Sequence, residues 1–155
     1  MASAYFLDSS ALVKRYVQED GTAWVRRLTR RTFGNRIYLA RITPVEVTAA
    51  VARRRKGRTL TSKKASSILY RFRRHLAGRY TLIDLTPALF DEAMRLANRH
   101  SLRAYDAVQL AAALKIRQER QDAGLAPVTI ISADQALNDA ARAEGLAVDD
   151  PRSHP

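Results

Sequence analysis

The chain has 155 residues, of which 46% are hydrophobic and 27% charged, a composition typical of a globular domain and not of a disordered or fibrous chain. It contains no cysteine, which excludes disulfide bonds, thiol nucleophiles and metal sites built from thiolates. Any metal site would therefore have to use oxygen ligands.

The length suffices for one hydrophobic core without metal or disulfide staples. We therefore predict a single domain over residues 1–150, followed by a flexible tail over residues 151–155. The sequence contains no apolar stretch long enough for a signal peptide or a membrane span. This pattern predicts a cytoplasmic protein that does not associate with a membrane.

The net charge of +12 is unevenly distributed along the chain. Residues 1–79 contain 19 of the 27 Lys and Arg residues and only 4 acids, whereas residues 80–155 contain 8 bases and 11 acids. Most of these bases are arginines, whose planar guanidinium groups bind phosphate through two hydrogen bonds. The basic half could be a solvated face, but it favours a nucleic-acid partner, and we assign RNA contacts to Arg53, Arg54 and Arg55.

The first predicted strand is a short apolar run over residues 5–7, which ends at Asp8 and two serines. Such a run predicts a buried strand that leads directly into a helix. A second amphipathic helix follows the break at Gly21, and residues 37–40 form the next predicted strand. Asp8 is thus expected at the carboxyl end of a strand, where it could also cap the first helix.

The middle of the chain predicts a helical hairpin with a basic outer surface. Thr43 is expected to be an N-cap, and Glu46, three residues later, could complete a capping box with it. This helix is expected to end at Gly57, and a second helix covers residues 62–78 with its apolar residues on one stripe.

Strands and helices alternate again in the last part of the chain. Residues 80–85 predict a strand, a helix begins after Thr86, and a further helix has Asp106 in its first turn. Residues 128–131 form a β-branched strand, which a last helix follows after Asp134. The whole pattern predicts a parallel α/β sheet covered on both faces by helices.

Four carboxylates are expected at one edge of this sheet: Asp8 and Asp134 after strands, and Glu46 and Asp106 in the first turns of helices. In such sheets the ligand crevice lies beyond the carboxyl ends of the strands. Each acid could merely cap a helix or favour its positive end. That all four meet by chance is much less plausible, because crowded carboxylates are costly unless a cation neutralises them.

A group of carboxylates without His or Cys suits Mg²⁺ or Mn²⁺ better than Zn²⁺. Such ions activate water and stabilise the attacking and leaving oxygens of a phosphoryl displacement. Together with the arginine-rich half of the chain, this group predicts a metal-dependent nuclease.

Four segments, in this order and at these spacings, resemble the PIN-domain ribonucleases and most closely the VapC toxins of bacterial type II toxin–antitoxin systems. These segments are DSSALVKRY, TPVEVTAAVARR, LRAYDAVQLAAAL and ISADQALNDAARAEGL. The resemblance covers nearly the whole chain, and the four motifs are specific only in combination.

The resemblance implies a PIN-like three-layer α/β/α fold with a central parallel sheet and a protruding helical hairpin. It implies an endoribonuclease that uses Mg²⁺ or Mn²⁺ to hydrolyse RNA and is inhibited by a cognate VapB-like antitoxin, and we also expect a homodimer. The implied catalytic and metal-binding residues are Asp8, Glu46, Asp106 and Asp134. Ser10 matches a supporting hydroxyl position near the metal.

Two alternatives remain open at this point. An aspartate-nucleophile phosphatase would also place an Asp after the first strand, but such enzymes carry a second Asp where this chain has Ser10. A non-catalytic nucleic-acid-binding module would explain the arginines but not the coincidence of the acids. Because Asn138 and Asp139 closely follow Asp134, the motif does not determine which of the three lies nearest a second metal.

Overall fold

A computed structural model shows a five-stranded parallel sheet with helices on both faces, and it describes residues 2–155. The strands are β1 (Ala4–Leu7), β2 (Arg36–Ala40), β3 (Tyr80–Ile83), β4 (Val128–Ile131) and β5 (Ala147–Asp149). The helices are α1 (Ser9–Tyr16), α2 (Thr22–Leu28), α3 (Thr43–Lys56), α4 (Ser62–Gly78), α5 (Pro87–His100), α6 (Ala104–Asp122) and α7 (Gln135–Ala143). Short 3₁₀ helices cover Arg31–Phe33 and Pro151–Ser153.

The strands lie in the order β3-β2-β1-β4-β5, so β1 is at the centre of the sheet. Every neighbouring pair is parallel. The chain first builds outward from β1 to β3 and then returns to add β4 and β5 on the other side. The strand order therefore reverses beside β1, and in open α/β sheets the ligand crevice forms at such a reversal, beyond the carboxyl ends of the strands.

The two faces of the sheet carry separate cores. One core contains buried residues of α1, α2, α3 and α4, with Phe72, Leu12 and Leu39 among its large side chains. The other contains buried residues of α5, α6 and α7, with Phe6 and Leu110 among them. The alternation of side chains along β1 supplies both cores, because Phe6 and Leu7 point to opposite faces. This arrangement confirms the predicted three-layer α/β/α fold.

Several predicted helix boundaries agree with the structure. The Thr86 side chain accepts a hydrogen bond from the Leu89 amide, as expected of the N-cap of α5. The hairpin helix predicted over residues 62–78 coincides with α4, and its N-cap is Thr61. The strand predicted over residues 80–85 is two residues shorter in the structure, where it ends at Ile83.

The predicted capping box of α3 is wrong. The residue before the helix is Ile42, Thr43 is already helical, and no side chain caps this terminus. The Thr43 hydroxyl instead accepts a hydrogen bond from the side chain of Gln109 on α6. A tertiary contact has thus replaced the local cap, and it leaves the carboxylate of Glu46 free for other partners.

Residues 151–155, for which the sequence predicts a flexible tail, pack against α2 in the structure. Pro151 is buried, and the His154 ring stacks on the Trp24 ring with 4.2 Å between centroids. The His154 side chain also lies 2.8 Å from the carboxylate of Asp149. The stacking on Trp24 is long-range in sequence, so the composition of the tail could not indicate it. Within residues 2–155, none of the helices combines the length and apolar character needed to cross a membrane.

The close contact between Gly21 and Pro151 generates a stability prediction. Gly21 has a φ of +88°, and a Cβ atom there would lie 2.4 Å from the carbonyl oxygen of Pro151. We expect Gly21→Ala to lower the free energy of unfolding by about 2–3 kcal/mol, because it combines left-handed strain with a clash. Gly34→Ala is the control, since Gly34 has a φ of +66° and open space around its Cα.

Chemical denaturation of both variants measures the difference. We expect Gly34→Ala to lose only about 1 kcal/mol, the cost of the backbone conformation alone. Gly21→Ala should lose more free energy of unfolding than Gly34→Ala, and deletion of residues 151–155 should remove most of this difference. Equal losses in the two variants would contradict the packed position of the tail.

Candidate active site

Asp8 is the most deeply buried acid at the carboxyl edge of the sheet, with 3% of its surface exposed. One carboxylate oxygen, Oδ1, accepts hydrogen bonds from the Ser10 hydroxyl at 2.7 Å and from the Ala11 amide at 2.9 Å. The other, Oδ2, accepts one from the Ser132 hydroxyl at 2.7 Å. Asp8 therefore caps α1, as the sequence allowed, and also lies at the reversal of strand order between β1 and β4.

The two serines tie the ends of β1 and β4 together. The Ala133 amide donates to the Ser10 hydroxyl at 2.9 Å, and the Asp134 amide donates to the Ser132 hydroxyl at 3.0 Å. Because each hydroxyl also donates to Asp8, the loop after β4 is held against the start of α1. This network fixes the backbone position of Asp134, whose own side chain caps α7 by accepting from the Leu137 amide.

Glu46 extends from the first turn of α3 toward α1 and α6. Its Oε2 accepts a hydrogen bond from the Ser9 hydroxyl, and its Oε1 accepts one from Gln109 Nε2, each at 2.9 Å. Gln109 is buried, with 1% of its surface exposed, and the same amide nitrogen also donates to Thr43. Gln109 thus joins α6 to α3 and orients the Glu46 carboxylate, which in turn joins α3 to α1 through Ser9.

Asp106 is electrostatically coupled to the other three carboxylates, and we call Asp8, Glu46, Asp106 and Asp134 the acid rim. The pKa of Asp106 is raised to about 6 by burial and by the charges of Asp134 and Glu46, against the opposing effect of Arg103. Burial likewise raises the pKa of Asp8 to about 6, with Asp106 adding to the shift and three hydrogen bonds opposing it. The structure thus brings Asp106 close enough to Asp8, Glu46 and Asp134 for it to be repelled by each of them.

In the part of the chain that the structure describes, no three His, Cys, Asp or Glu side chains lie close enough together to surround one ion. The acid rim is therefore a ring of neighbouring carboxylates and not a closed protein cage. Mg²⁺ commonly binds in this way, through one or two carboxylates, several waters and the phosphates of a substrate. The acid rim offers only hard oxygen ligands. A divalent cation would relieve the repulsion between their negative charges.

A cavity of about 580 Å³ opens beside the acid rim. Its lining includes Ser9, Ser10 and Glu46 from the site, and Arg53 and Arg54 from α3. Of the three arginines assigned to RNA contact, Arg53 is exposed in this wall, Arg54 is paired with Glu19, and Arg55 is exposed outside the cavity lining.

The sequence analysis did not identify Ser132 or Gln109 as partners of the acids. Ser132 forms its bonds across 124 positions of sequence, and Gln109 bonds to Glu46 across 63 positions. A signal for Gln109 existed, since it is a lone polar residue in an apolar part of α6, three residues after Asp106. An isolated polar side chain in such a position needs a buried partner.

The residues that follow Asp134 are also resolved by the structure. Asp139 is exposed and interacts with Gln135 and Arg142, so it does not belong to the acid rim. Asn138 is buried and donates a hydrogen bond to the backbone oxygen of Ser132 at 2.9 Å. Asp134 is therefore the acid of this segment that faces the site.

The PIN domain family model matches residues 5–143, which include the acid rim, most of β1 and the whole of β2, β3 and β4. The chain belongs to the PIN-domain family. Domains of this family are generally nucleases, and divalent metal ions are their usual cofactors. No curated protein sequence matches the chain significantly.

Three solved structures show the same fold in known proteins. PAE2754 from Pyrobaculum aerophilum is 19% identical, with a TM-score of 0.64 over 99% of this chain and 88% of that one. VapBC2 from Rickettsia felis, solved with a DNA fragment from its promoter, is 15% identical, with a TM-score of 0.61 over 95% and 98%. FitAcB from Neisseria gonorrhoeae is 22% identical, with a TM-score of 0.58 over 95% and 97%.

Repulsion within the acid rim predicts that a neutral side chain at its centre stabilises the metal-free PIN domain. We expect Asp106→Asn to raise the free energy of unfolding by about 1 kcal/mol at pH 8, after allowing for solvent screening of this half-exposed group. The melting temperature in EDTA should rise by about 2–4 °C. Asp91→Asn, at an exposed position of α5, is the control and should leave the melting temperature unchanged.

The gain should depend on pH with a defined sign. Because the pKa of Asp106 is higher in the folded chain, its charge destabilises the fold above about pH 6. This destabilisation falls as the pH drops from about 6 toward 3.8, the ordinary pKa of an aspartate side chain. The advantage of Asp106→Asn should therefore vanish near pH 4, and a constant advantage would exclude carboxylate repulsion as its cause.

Proposed function

We propose that this PIN domain is a Mg²⁺- or Mn²⁺-dependent endoribonuclease and the toxin component of a type II toxin–antitoxin pair. The observation that carries the proposal is the acid rim, four coupled carboxylates at the reversal of strand order in a strongly basic chain. A purely structural role would not favour placing a buried carboxylate such as Asp8 beside three other acids, because each added charge raises the cost of ionisation.

The residues of the acid rim have separable roles in this proposal. Asp8, Glu46, Asp106 and Asp134 would share in holding the cation, one or two of them as direct ligands and the others through bound waters. Asp8 is oriented for this role by Ser10 and Ser132, and Glu46 by Gln109. A bound divalent ion would supply an activated water and would stabilise the charge that develops on the phosphate oxygens.

The arginines at the site would bind the substrate backbone. Arg53 lines the cavity beside the acid rim and forms no ion pair within residues 2–155. Its guanidinium can donate two hydrogen bonds to one phosphate group. We assign the substrate as RNA on the resemblance of the four sequence motifs to VapC ribonucleases.

The proposal predicts that either Asp8→Asn or Asp106→Asn abolishes metal-dependent RNA cleavage without unfolding the chain. Each change removes one ligand charge and nearly preserves the shape of the side chain. We expect the rate in Mg²⁺ or Mn²⁺ to fall by at least about 100-fold, since a ligand to the cation is lost. Gel-based cleavage of total RNA measures the rate, and circular dichroism verifies the fold.

Asp91→Asn again serves as the matched control and should cleave RNA at the rate of the unmodified chain. Wild-type rates in both Asp8→Asn and Asp106→Asn would overturn the mechanism. If the unmodified chain neither cleaves RNA nor gains thermal stability from Mn²⁺, the non-catalytic nucleic-acid-binding module becomes the better explanation.

An antitoxin of defined chemistry fits the surface next to the acid rim. An apolar groove of about 460 Å³ runs between α3 and α4 and is lined by Pro44, Thr48, Leu69 and Leu76. Val45 and Ala49 line both this groove and the cavity at the acid rim, so the two surfaces are continuous. We propose that an apolar antitoxin segment lies in the groove and that its Arg or Lys reaches the acid rim.

Blocking the groove should separate inhibition from catalysis. Thr48 is exposed at the groove, so Thr48→Arg should fill it without disturbing the core. We expect a cognate antitoxin to inhibit the unmodified nuclease and to bind the variant at least about 10-fold more weakly. Asn98→Arg, an exposed position on α5, carries the same added charge as a control.

Inhibition and RNA cleavage are measured together in this experiment. Both variants should cleave RNA normally when the antitoxin is absent. Full inhibition of Thr48→Arg would mean that the antitoxin binds elsewhere, for example at a subunit interface. The expected homodimer stays a prediction, because the structure contains one chain.

A further inference from the structure

A second concentration of charge lies at the opposite edge of the sheet from the acid rim. Arg36 begins β2 and Arg79 directly precedes β3, so both mark the amino ends of strands. The strands are four or five residues long there, which corresponds to about 13–17 Å at 3.3 Å per residue. We call this surface the distal basic patch, and it consists of Arg30, Arg31, Arg36, Arg71, Arg74 and Arg79.

The distal basic patch surrounds two connected cavities. One has a volume of about 440 Å³ and is lined by Arg30, Arg31, Arg36 and Arg79 among others. The other has a volume of about 520 Å³, and Arg71 and Arg74 are in its lining. Arg31 and Arg79 line both, and neither cavity is lined by an acid.

These guanidinium groups lack a carboxylate partner in the part of the chain that the structure describes. Among residues 2–155, none of the six arginines forms an ion pair with a carboxylate. Helices α2 and α4 end at this edge, and a helix carboxyl terminus carries about half a negative charge. Two such termini leave most of the positive charge of the patch unneutralised.

His75 is in the lining of one of the two cavities of the distal basic patch. It lies near the end of α4, and its ring accepts or donates a hydrogen bond with the Tyr16 hydroxyl at 2.7 Å. The pKa of His75 is lowered to about 4, mainly by burial and to a lesser degree by the charges of Arg15, Arg79, Arg71 and Arg74. The contribution of these arginines agrees with an excess of positive charge around the end of α4.

Two exposed aromatic rings accompany the arginines. Tyr70, with 67% of its surface exposed, lines the same cavity as Arg71 and Arg74. Phe33, with 52% exposed, lies two residues after Arg31. Proteins that bind single-stranded nucleic acid combine a basic surface with aromatic rings on which unpaired bases stack. An acidic protein segment would use the arginines but would have no need of the rings.

We propose that the distal basic patch is a second binding surface for single-stranded RNA, on the side of the domain away from the acid rim. The arginines bind successive phosphates, and Tyr70 and Phe33 stack on unpaired bases. The choice of RNA as the ligand rests on the proposed function of the acid rim, whereas the location of the surface rests on the arginines and the two rings.

The test measures the affinity of a 5′-labelled oligouridylate of about 30 nucleotides in EDTA by fluorescence anisotropy. Arg31→Gln/Arg79→Gln removes the two arginines that both cavities share. We expect affinity to fall about tenfold, and the slope of log affinity against log salt to decrease by about 1.4, the value for two phosphate contacts to a single strand. A second variant, Arg71→Gln/Arg74→Gln, changes two exposed positions and still tests the patch if the first variant misfolds.

Arg95→Gln/Arg142→Gln is the matched control, because it removes two charges from exposed helix positions outside the patch. Its affinity should change by less than twofold. Tyr70→Ala should weaken binding by at least about fivefold without changing the salt slope, since stacking involves no counterion release. The stabilisation of each patch variant by Mn²⁺ should match that of the unmodified chain.

The outcomes distinguish this inference from the proposed function. Unchanged affinity and salt slope in both patch variants would overturn the inference, even if the protein cleaves RNA. Equal binding of duplex DNA, together with no effect of Tyr70→Ala, would also overturn it and would indicate a general polyanion surface. Loss of binding in the patch variants of a protein without nuclease activity would support the surface and refute the proposed function.

Discussion

The site depends on keeping one carboxylate, that of Asp8, almost completely out of water at the centre of the sheet. An ion in such a position costs several kcal/mol unless hydrogen bonds replace its hydration. Two serine hydroxyls and one backbone amide supply those bonds. Because one serine follows β1 and the other follows β4, the bonds can form only when these strands lie side by side. Burial still raises the pKa of Asp8, which is the electrostatic condition that a cation would relieve.

The polarity of the fold explains why acids and arginines collect at opposite edges. In a parallel sheet, the helices that follow strands begin at the carboxyl edge and end at the amino edge. Asp8 and Asp134 are N-caps, and Asp106 lies in a first turn, so helix dipoles lower the cost of three crowded acids. The amino edge receives helix carboxyl termini, which favour cations. The arginines there carry more positive charge than two helix carboxyl termini can balance. This excess charge distinguishes a binding surface from ordinary helix capping.

The sequence predicts the fold and the meeting of the four acids because both follow from local patterns. Alternating strands and helices determine the sheet, and Asp8 and Asp134 each follow a buried strand. The environment of the acids could not be predicted in the same way. The hydrogen bond of Gln109 to Glu46 joins residues 63 positions apart. Thr43 matches a local capping motif, yet its hydroxyl accepts a hydrogen bond from Gln109 instead. This competition between a local cap and a tertiary contact is visible only once the helices are packed.

The stacking of His154 on Trp24 gives the molecule an internal optical reporter. Trp24 is the only tryptophan of the chain, so the intrinsic indole emission comes from one place, the contact between α2 and the last residues. The environment of this indole changes when the His154 ring leaves it. The emission intensity therefore follows the docking of the carboxyl terminus, while changes confined to the sheet edges leave it constant. Spectroscopic titrations can thus separate detachment of the terminus from events elsewhere on the domain without an added label.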